Sequence, residues 1–291
     1  MSVAVVTDSA ASLPLTAAER LGIGVVPMTL VLGGLVYADG DLSPEELISR
    51  AATESVSTSS PTPGAFLKAV ASATEHEEAD GQVLILTVSS AMSSTYEVAH
   101  MAAGYVDDAA VSVIDTGTAA GAQGLVVMAA AELAATGAPL DEVAKRAEEV
   151  AAQVRLVASL SSLDYLARSG RVPGAAAWAG RSLGMRAMFE FVTGGVRTRL
   201  PARSERAALD RMVSAMVQSR PRDPSGAVLH AAVLEAQAAE AAARLRALVT
   251  AAQPDGEVFE APFSSVMIAH TGPGLVGLAW WWEARDRALA T

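Results

Sequence analysis

Val83-Leu84-Ile85-Leu86-Thr87-Val88, followed at once by Ser89-Ser90-Ala91-Met92-Ser93-Ser94-Thr95-Tyr96, is the stretch that decides the fold class. A short, almost wholly apolar run without polar alternation reads as a strand buried on both faces. The hydroxyl-rich segment after it places Ser93 or Ser94 at a helix start, and the spacing carries that helix over 94–104. The same pattern recurs on either side. Strands are predicted at 3–7, 25–32 and 111–114, and helices at 15–21, 44–52, 63–74, 119–136 and 140–155. Buried strands spaced by helices predict an N-terminal three-layer α/β/α domain around a parallel sheet. Ligands of such sheets bind beyond the carboxyl ends of the strands, which is where Ser93 falls.

Beyond residue 155 the pattern changes. Strands are predicted at 156–160, 189–193, 196–199, 228–234, 257–262 and 266–269, with a hairpin at Gly194-Gly195. Helices are predicted at 175–188, 207–218 and 236–252. This predicts a C-terminal two-layer α+β domain with a mixed sheet, so the domains expected are 1–155 and 156–291. An uncharged stretch, 21–38, reaches the lower length for a membrane helix. Gly22, Gly24, Pro27, Gly33 and Gly34 punctuate it like two strands around a Gly-Gly turn, and it is read as buried sheet.

Composition narrows the function. With 291 residues and 51% hydrophobic content, the chain has ample material for its cores. A net charge of −11 argues against nucleic acid and against docking on anionic lipid. The absence of cysteine removes thiol catalysis, iron–sulfur clusters and Cys-based zinc sites. No group of His, Asp or Glu has convincing metal-ligand spacing, so no metal and no cofactor are expected. The first residues carry no basic n-region, which points to a cytoplasmic protein without membrane insertion.

A second informative stretch is Val266-Met267-Ile268-Ala269-His270-Thr271-Gly272-Pro273-Gly274-Leu275-Val276-Gly277. It reads as a buried strand bringing His270 to a Gly-Pro-Gly corner, with a helix over 275–285. Backbone N–H groups at such a helix start, beside an imidazole, suit an oxygen anion. The match to G-x-G-x-x-G is weak evidence for a nucleotide, because the fourteen residues after Gly277 hold no βαβ unit. Of the other histidines, His76 and His100 read as surface residues and His230 as a strand residue without an obvious partner. Trp280-Trp281-Trp282 cannot all face one side of a helix, so at least one indole should line a core or pocket.

One further loop carries hydroxyls without charge. In Thr58-Ser59-Ser60-Pro61-Thr62-Pro63-Gly64, Thr62 suits an N-cap and Pro63 the first turn of a helix. Asp8 and Asp115 each follow a strand and suit capping of the next turn. Arg171 lies in the loop Ser169-Gly170-Arg171-Val172-Pro173-Gly174, Arg186 interrupts an apolar helical pattern, and Arg203 follows the hairpin. Arginine's fork fits carboxylate or phosphate, and Arg203 is the best placed to flank a cleft.

Taken in order, these pieces resemble the DegV family. They are Val6-Thr7-Asp8-Ser9 with Leu13-Pro14, Thr58 to Pro63, Ser89 to Tyr96, Val113-Ile114-Asp115-Thr116, Leu166 through Arg171-Val172, Arg203, and His270-Thr271-Gly272-Pro273-Gly274. The resemblance implies a two-domain fold with a long-chain fatty acid in a tunnel between the domains. It implies no reaction by the chain alone. Members serve as the acyl-binding subunit of bacterial fatty acid kinase, presenting a carboxylate for phosphorylation to an acyl phosphate that enters phospholipid synthesis. By position, Thr62 and Ser93, with the neighbouring Ser94, look like carboxylate partners, and His270 and Arg203 complete the set. Arg171 looks like part of the surface that meets the kinase. The chain departs from the family at Ser60 (usually Gln), Ser94 (usually Gly) and Arg186-Ala187 (usually Lys-Pro).

An enzymatic alternative is a serine acyl hydrolase with Ser93 as nucleophile and His270 as base. It lacks the G-x-S-x-G elbow, as Ala91-Met92-Ser93-Ser94-Thr95 shows, and no acid is placed to orient His270.

Overall fold

Four parallel strands stand in the order β2 (Gly24–Val26), β1 (Ser2–Asp8), β6 (Ala79–Thr87) and β7 (Val111–Asp115). The computed structural model describes residues 2–74, 79–106, 111–171, 185–192, 195–222 and 226–284. Val83, Leu84, Ile85 and Leu86 are all fully buried, which requires cover on both faces of the sheet. Helices α3 (Pro63–Thr74) and α4 (Thr95–Ala103) cover one face through Phe66, Val70, Ala99 and Ala102. On the other face, α5 (Ala120–Ala134) and α6 (Leu140–Gln153) pack through Val126, Val143 and Val150. Shorter helices α1 (Leu15–Arg20) and α2 (Pro44–Arg50) complete this half, with Ser43 Oγ capping α2 at Glu46 N.

The second sheet has six strands in the order β10 (Gly195–Ala202), β9 (Arg186–Val192), β8 (Arg155–Leu160), β13 (Leu275–Ala284), β11 (Ala227–Ala236) and β12 (Glu257–Pro262). It is mixed, since β11 and β12 run parallel while the other pairs are antiparallel. Past the short helix α7 (Asp164–Ser169), helices α8 (Glu205–Gln218) and α9 (Ala239–Ala252) lie on its outer face. Helix α5 covers the inner face, so it packs between the two sheets and is buried nearly all round. Small residues make this possible. A Cβ on Gly121 would stand 2.7 Å from the Ala232 Cβ, and one on Gly124 would stand 2.8 Å from the Ala11 carbonyl oxygen.

A third sheet joins β3 (Thr29–Leu32) to β4 (Leu35–Ala38) around Gly33-Gly34, with β5 (Val56–Ser59) on the other edge of β3. The expected single strand 25–32 is therefore two, divided at Pro27-Met28. Gly24–Val26 joins the parallel sheet, and Thr29–Leu32 turns away into the hairpin. No helix among the described residues is long and apolar enough to cross a membrane.

The C-terminal stretch corrects the reading given above, because its two elements are interchanged. Residues expected as a strand form helix α10 (Ser265–Thr271), capped by Ser264, and residues expected as a helix form β13. Short apolar runs buried on every side have no periodicity to tell helix from strand. The three tryptophans alternate faces along β13. Trp280 and Trp282 both donate from Nε1 to Ser219 Oγ on the α8 side, and Trp281 packs into the α5–α6 side. The expected helix 175–188 falls mostly on residues outside those described. Its last three residues begin β9, where Arg186 donates to Ser159 Oγ and to the Gly274 carbonyl. Gly194 also lies outside the described residues.

Candidate functional site

The carboxyl ends of β1 and β6 open toward the inner face of the six-stranded sheet, and a cavity of about 480 Å³ fills the space between. Most of its wall is apolar, including Met28, Phe189, Phe191, Leu234, Phe263 and Leu275. Buried Asp8 braces part of the wall, accepting from Ala10 N (3.0 Å) and Val88 N (2.8 Å), two residues that line the cavity. Burial raises the Asp8 pKa to about 6, against the lowering effect of these bonds.

The polar part of the wall holds a serine cluster, a Thr58–His270 pair and one arginine. Ser60 Oγ lies 3.3 Å from both Ser93 Oγ and Ser94 Oγ, and Ser93 Oγ lies 2.7 Å from Thr95 Oγ1. Thr58 Oγ1 pairs with His270 Nε2 at 2.8 Å. Arg171 supplies the cation, and no Asp or Glu lines the cavity among the described residues. Burial first, and Arg171 second, lower the His270 pKa to about 4, so the imidazole is neutral at pH 7. The arrangement thus offers hydroxyls, a neutral imidazole and one guanidinium, and it presents no carboxylate to repel an anion.

Local chain chemistry explains each placement. Ser94 takes the N-cap position of α4, and Ser93 stands in the loop just before it. His270 occupies the last turn of α10, not a strand end as expected from sequence, and the Gly-Pro-Gly corner follows a helix C-terminus. The corner therefore does not provide the helix-start N–H groups foreseen for it. Its glycines serve packing. Gly272 has φ 69 and ψ 177, a conformation almost confined to glycine, and a Cβ there would meet the Tyr165 ring at 2.3 Å.

Of the residues singled out in the sequence, Ser93, Ser94, His270 and Arg171 come together at the cavity. Thr62 does not; it is exposed and caps α3 by accepting from Ala65 N at 3.2 Å. Arg203 is exposed on the turn between β10 and α8, outside the lining. Thr58 and Ser60 are not among the carboxylate partners expected from the sequence, although the alternation Val56-Ser57-Thr58-Ser59 on an edge strand turns Val56 and Thr58 to one face. Ser93 and His270 spend their hydrogen bonds on other partners, so the nucleophile–base pair of a serine hydrolase is not formed. Among the described residues, no cluster of three or more His, Asp or Glu side chains is placed to hold a metal. His76 lies outside the described residues. His100 is an exposed residue of α4 stacked on Tyr96, and His230 lies between Glu257 and Glu283.

Fold and site together define a mixed α/β protein with a mainly apolar cavity and a small anion-compatible polar group. The sequence model of the DegV family matches residues 2–283, and the chain belongs to that family. A DegV domain-containing protein of Streptomyces coelicolor is 33% identical over 278 residues, covering 95% of this chain and 97% of that one. Among solved structures, a DegV family protein from Thermus thermophilus, described by its fatty acid binding, superimposes with a TM-score of 0.88 at 30% identity. That match covers 97% of this chain and 99% of the other. DegV of Bacillus subtilis, described as a fatty acid binding protein, matches with a TM-score of 0.83 at 27% identity over 97% and 100% of the two chains.

Proposed function

We propose that this chain binds a long-chain fatty acid, with the acyl chain in the apolar cavity and the carboxylate among Thr58, Ser60, Ser93, Ser94 and His270 near Arg171. One observation carries the reading: the cavity wall is mainly apolar, its polar groups are hydroxyls, a histidine and an arginine, and no acid lines it among the described residues. A buried carboxylate needs such partners, and each buried CH₂ adds about 0.8 kcal/mol. The fatty acid binding described for the Thermus thermophilus and Bacillus subtilis proteins supports it. Thr62 and Arg203 are not assigned to the carboxylate. In this reading the chain forms two domains divided near residue 155, with the tunnel between them.

The partner in this reading is the catalytic subunit of a fatty acid kinase. The chain presents the carboxylate, and the kinase transfers the terminal phosphoryl group of ATP to it, giving an acyl phosphate for phospholipid synthesis, ADP leaving. A cytoplasmic location accompanies the role. Arg171, exposed at the cavity rim, is assigned to the surface that meets the kinase.

Native mass spectrometry of the purified protein, with fluorescence displacement, tests the binding. A co-purifying long-chain acid is expected. Ser93→Ala and His270→Ala should each weaken affinity roughly tenfold or more, the loss of one hydrogen bond to a charged group. Unchanged affinity in both variants rejects the head-group assignment, and turnover of an acyl ester abolished by Ser93→Ala would replace binding with hydrolysis. Arg171→Glu should lower acyl phosphate formation by the cognate kinase at saturating fatty acid.

A further inference from the structure

Among the described residues, four helices have a serine at the N-cap position, and three of those serines cap. Ser43 Oγ accepts from Glu46 N at 3.1 Å, Ser204 Oγ from Ala207 N at 3.2 Å and Ser264 Oγ from Met267 N at 3.5 Å. Ser94, before α4, makes no capping bond. Its backbone is already turned, with φ −78 and ψ 17, where the other three are extended as a capping residue normally is. The Ser94 hydroxyl lies 3.3 Å from Ser60 Oγ instead, and both residues line the acyl cavity.

This pair is loosely held. Ser60 Oγ also stands 3.3 Å from Ser93 Oγ, and its single proton serves only one of the two serines at a time. Both separations exceed the spacing of about 2.7–2.8 Å usual between hydroxyls. The Ser93–Thr95 contact at 2.7 Å and the Thr58–His270 contact at 2.8 Å are tight by comparison. Ser60 and Ser94 therefore keep spare donor and acceptor capacity at the cavity wall, with no charged hydrogen-bond partner among the described residues. The cation stands elsewhere in the head-group site, since Arg171 acts by its charge on His270. Thr58 lies on β5 and Ser60 follows that strand directly, and two residues of extended chain span about 7 Å.

We propose that the Ser60–Ser94 pair receives a hydroxyl on the carbon next to the carboxylate, which makes 2-hydroxy fatty acids the preferred ligand class. The inference rests on the reading that a fatty acid carboxylate binds at this end of the cavity. With the carboxylate toward Thr58, His270 and Arg171, the hydroxyl of such an acid falls one carbon away, on the side where Ser60 follows Thr58. A hydroxyl donates and accepts at once, which is what two underused serines offer, whereas a carboxylate only accepts. An unsubstituted acid sets a methylene there and leaves that capacity unused. The pair is fixed by the end of β5 and the start of α4, so it meets the hydroxyl of only one enantiomer while carboxylate and chain keep their places.

The probes are hexadecanoate and the two enantiomers of 2-hydroxyhexadecanoate, compared by fluorescence displacement. Wild-type protein should bind one enantiomer about fivefold tighter than hexadecanoate, the gain of one neutral hydrogen bond, and the other enantiomer no tighter than hexadecanoate. The readout in variants is the ratio of hydroxy-acid to hexadecanoate affinity. Ser94→Gly, which sacrifices no capping bond, should bring that ratio to about one, and Ser60→Ala should do the same. His270→Ala acts on the carboxylate common to all three acids, so it should weaken each of them and leave the ratio as in wild type. Hexadecanoate bound as tightly as both enantiomers, or a preference that persists in Ser94→Gly and Ser60→Ala alike, overturns the hydroxyl site and leaves the fatty acid reading standing. Failure of all three acids to bind wild-type protein overturns the reading beneath it.

Discussion

Burial holds the imidazole of His270 neutral at pH 7, with its pKa lowered to about 4, and this sets how the site responds to pH. An unfolded histidine titrates near 6.5, so between about 6.5 and 4 the unfolded chain binds more protons than the folded one. The folded protein is therefore expected to lose stability as pH falls through that window on account of this residue. His270→Gln, compared with wild type in urea at pH 7 and pH 5, should show a smaller loss on acidification. Buried Asp8 works in the opposite sense, since its folded pKa near 6 exceeds the unfolded value of 3.8. The difference between variant and wild type isolates the histidine. A bound carboxylate next to His270 should raise its pKa, so the NMR titration of the ring is expected to move upward when fatty acid is added.

At the scale of elements, α5 governs how closely the two sheets approach. Its sequence is rich in alanine and glycine, and the spacing predicts a helix there, which the structure places at Ala120–Ala134. What the spacing does not reveal is that both sides of this helix are covered. Gly121→Ala tests the sandwich. On an exposed helix the change would gain about 1 kcal/mol of propensity. Here the new Cβ meets the Ala232 Cβ at 2.7 Å and the Ala261 Cβ at 3.1 Å, both fixed to strand backbones. Overpacking costs roughly 1–3 kcal/mol, so a net loss of stability is expected in chemical denaturation. A raised denaturation midpoint would contradict the packing described.

Across the whole molecule, a second polar cluster ties α6 to the six-stranded sheet. Arg146 of α6 pairs with Glu283 of β13 and lies over the Trp281 ring, 4.8 Å from its centroid. Glu283 also meets His230 Nε2 at 2.9 Å, and His230 Nδ1 lies 3.1 Å from Glu257. Burial opposes the charged imidazole, but the Glu283 hydrogen bond and the charges of Glu257, Glu283 and Glu132 outweigh it and raise the His230 pKa. A raised folded pKa gives stability that is present below about 6.5 and lost as pH rises through the folded value. His230→Gln should therefore flatten the loss of stability on going from pH 6 to pH 9, measured by urea denaturation. An unchanged slope would show that the cluster does not link pH to stability.

The sequence by itself determined the elements whose burial is one-sided or whose ends carry chemical signals. Pro63 and Thr62 mark the start of α3, Gly33-Gly34 marks a hairpin, and the unbroken run from Val83 marks a strand of a parallel sheet. These signals are local, so they survive without knowledge of neighbours. Ser93, Ser94 and His270 were also legible, because hydroxyls and an imidazole stand out in apolar surroundings. The interchange of helix and strand around Gly272 was decided only by tertiary structure, since residues buried on all sides show no period. The same holds for the roles of Thr58 and Ser60, and for Thr62 and Arg203 standing outside the cavity. Which hydroxyl faces an enclosed space depends on packing between two sheets far apart in the chain, and no local pattern encodes it.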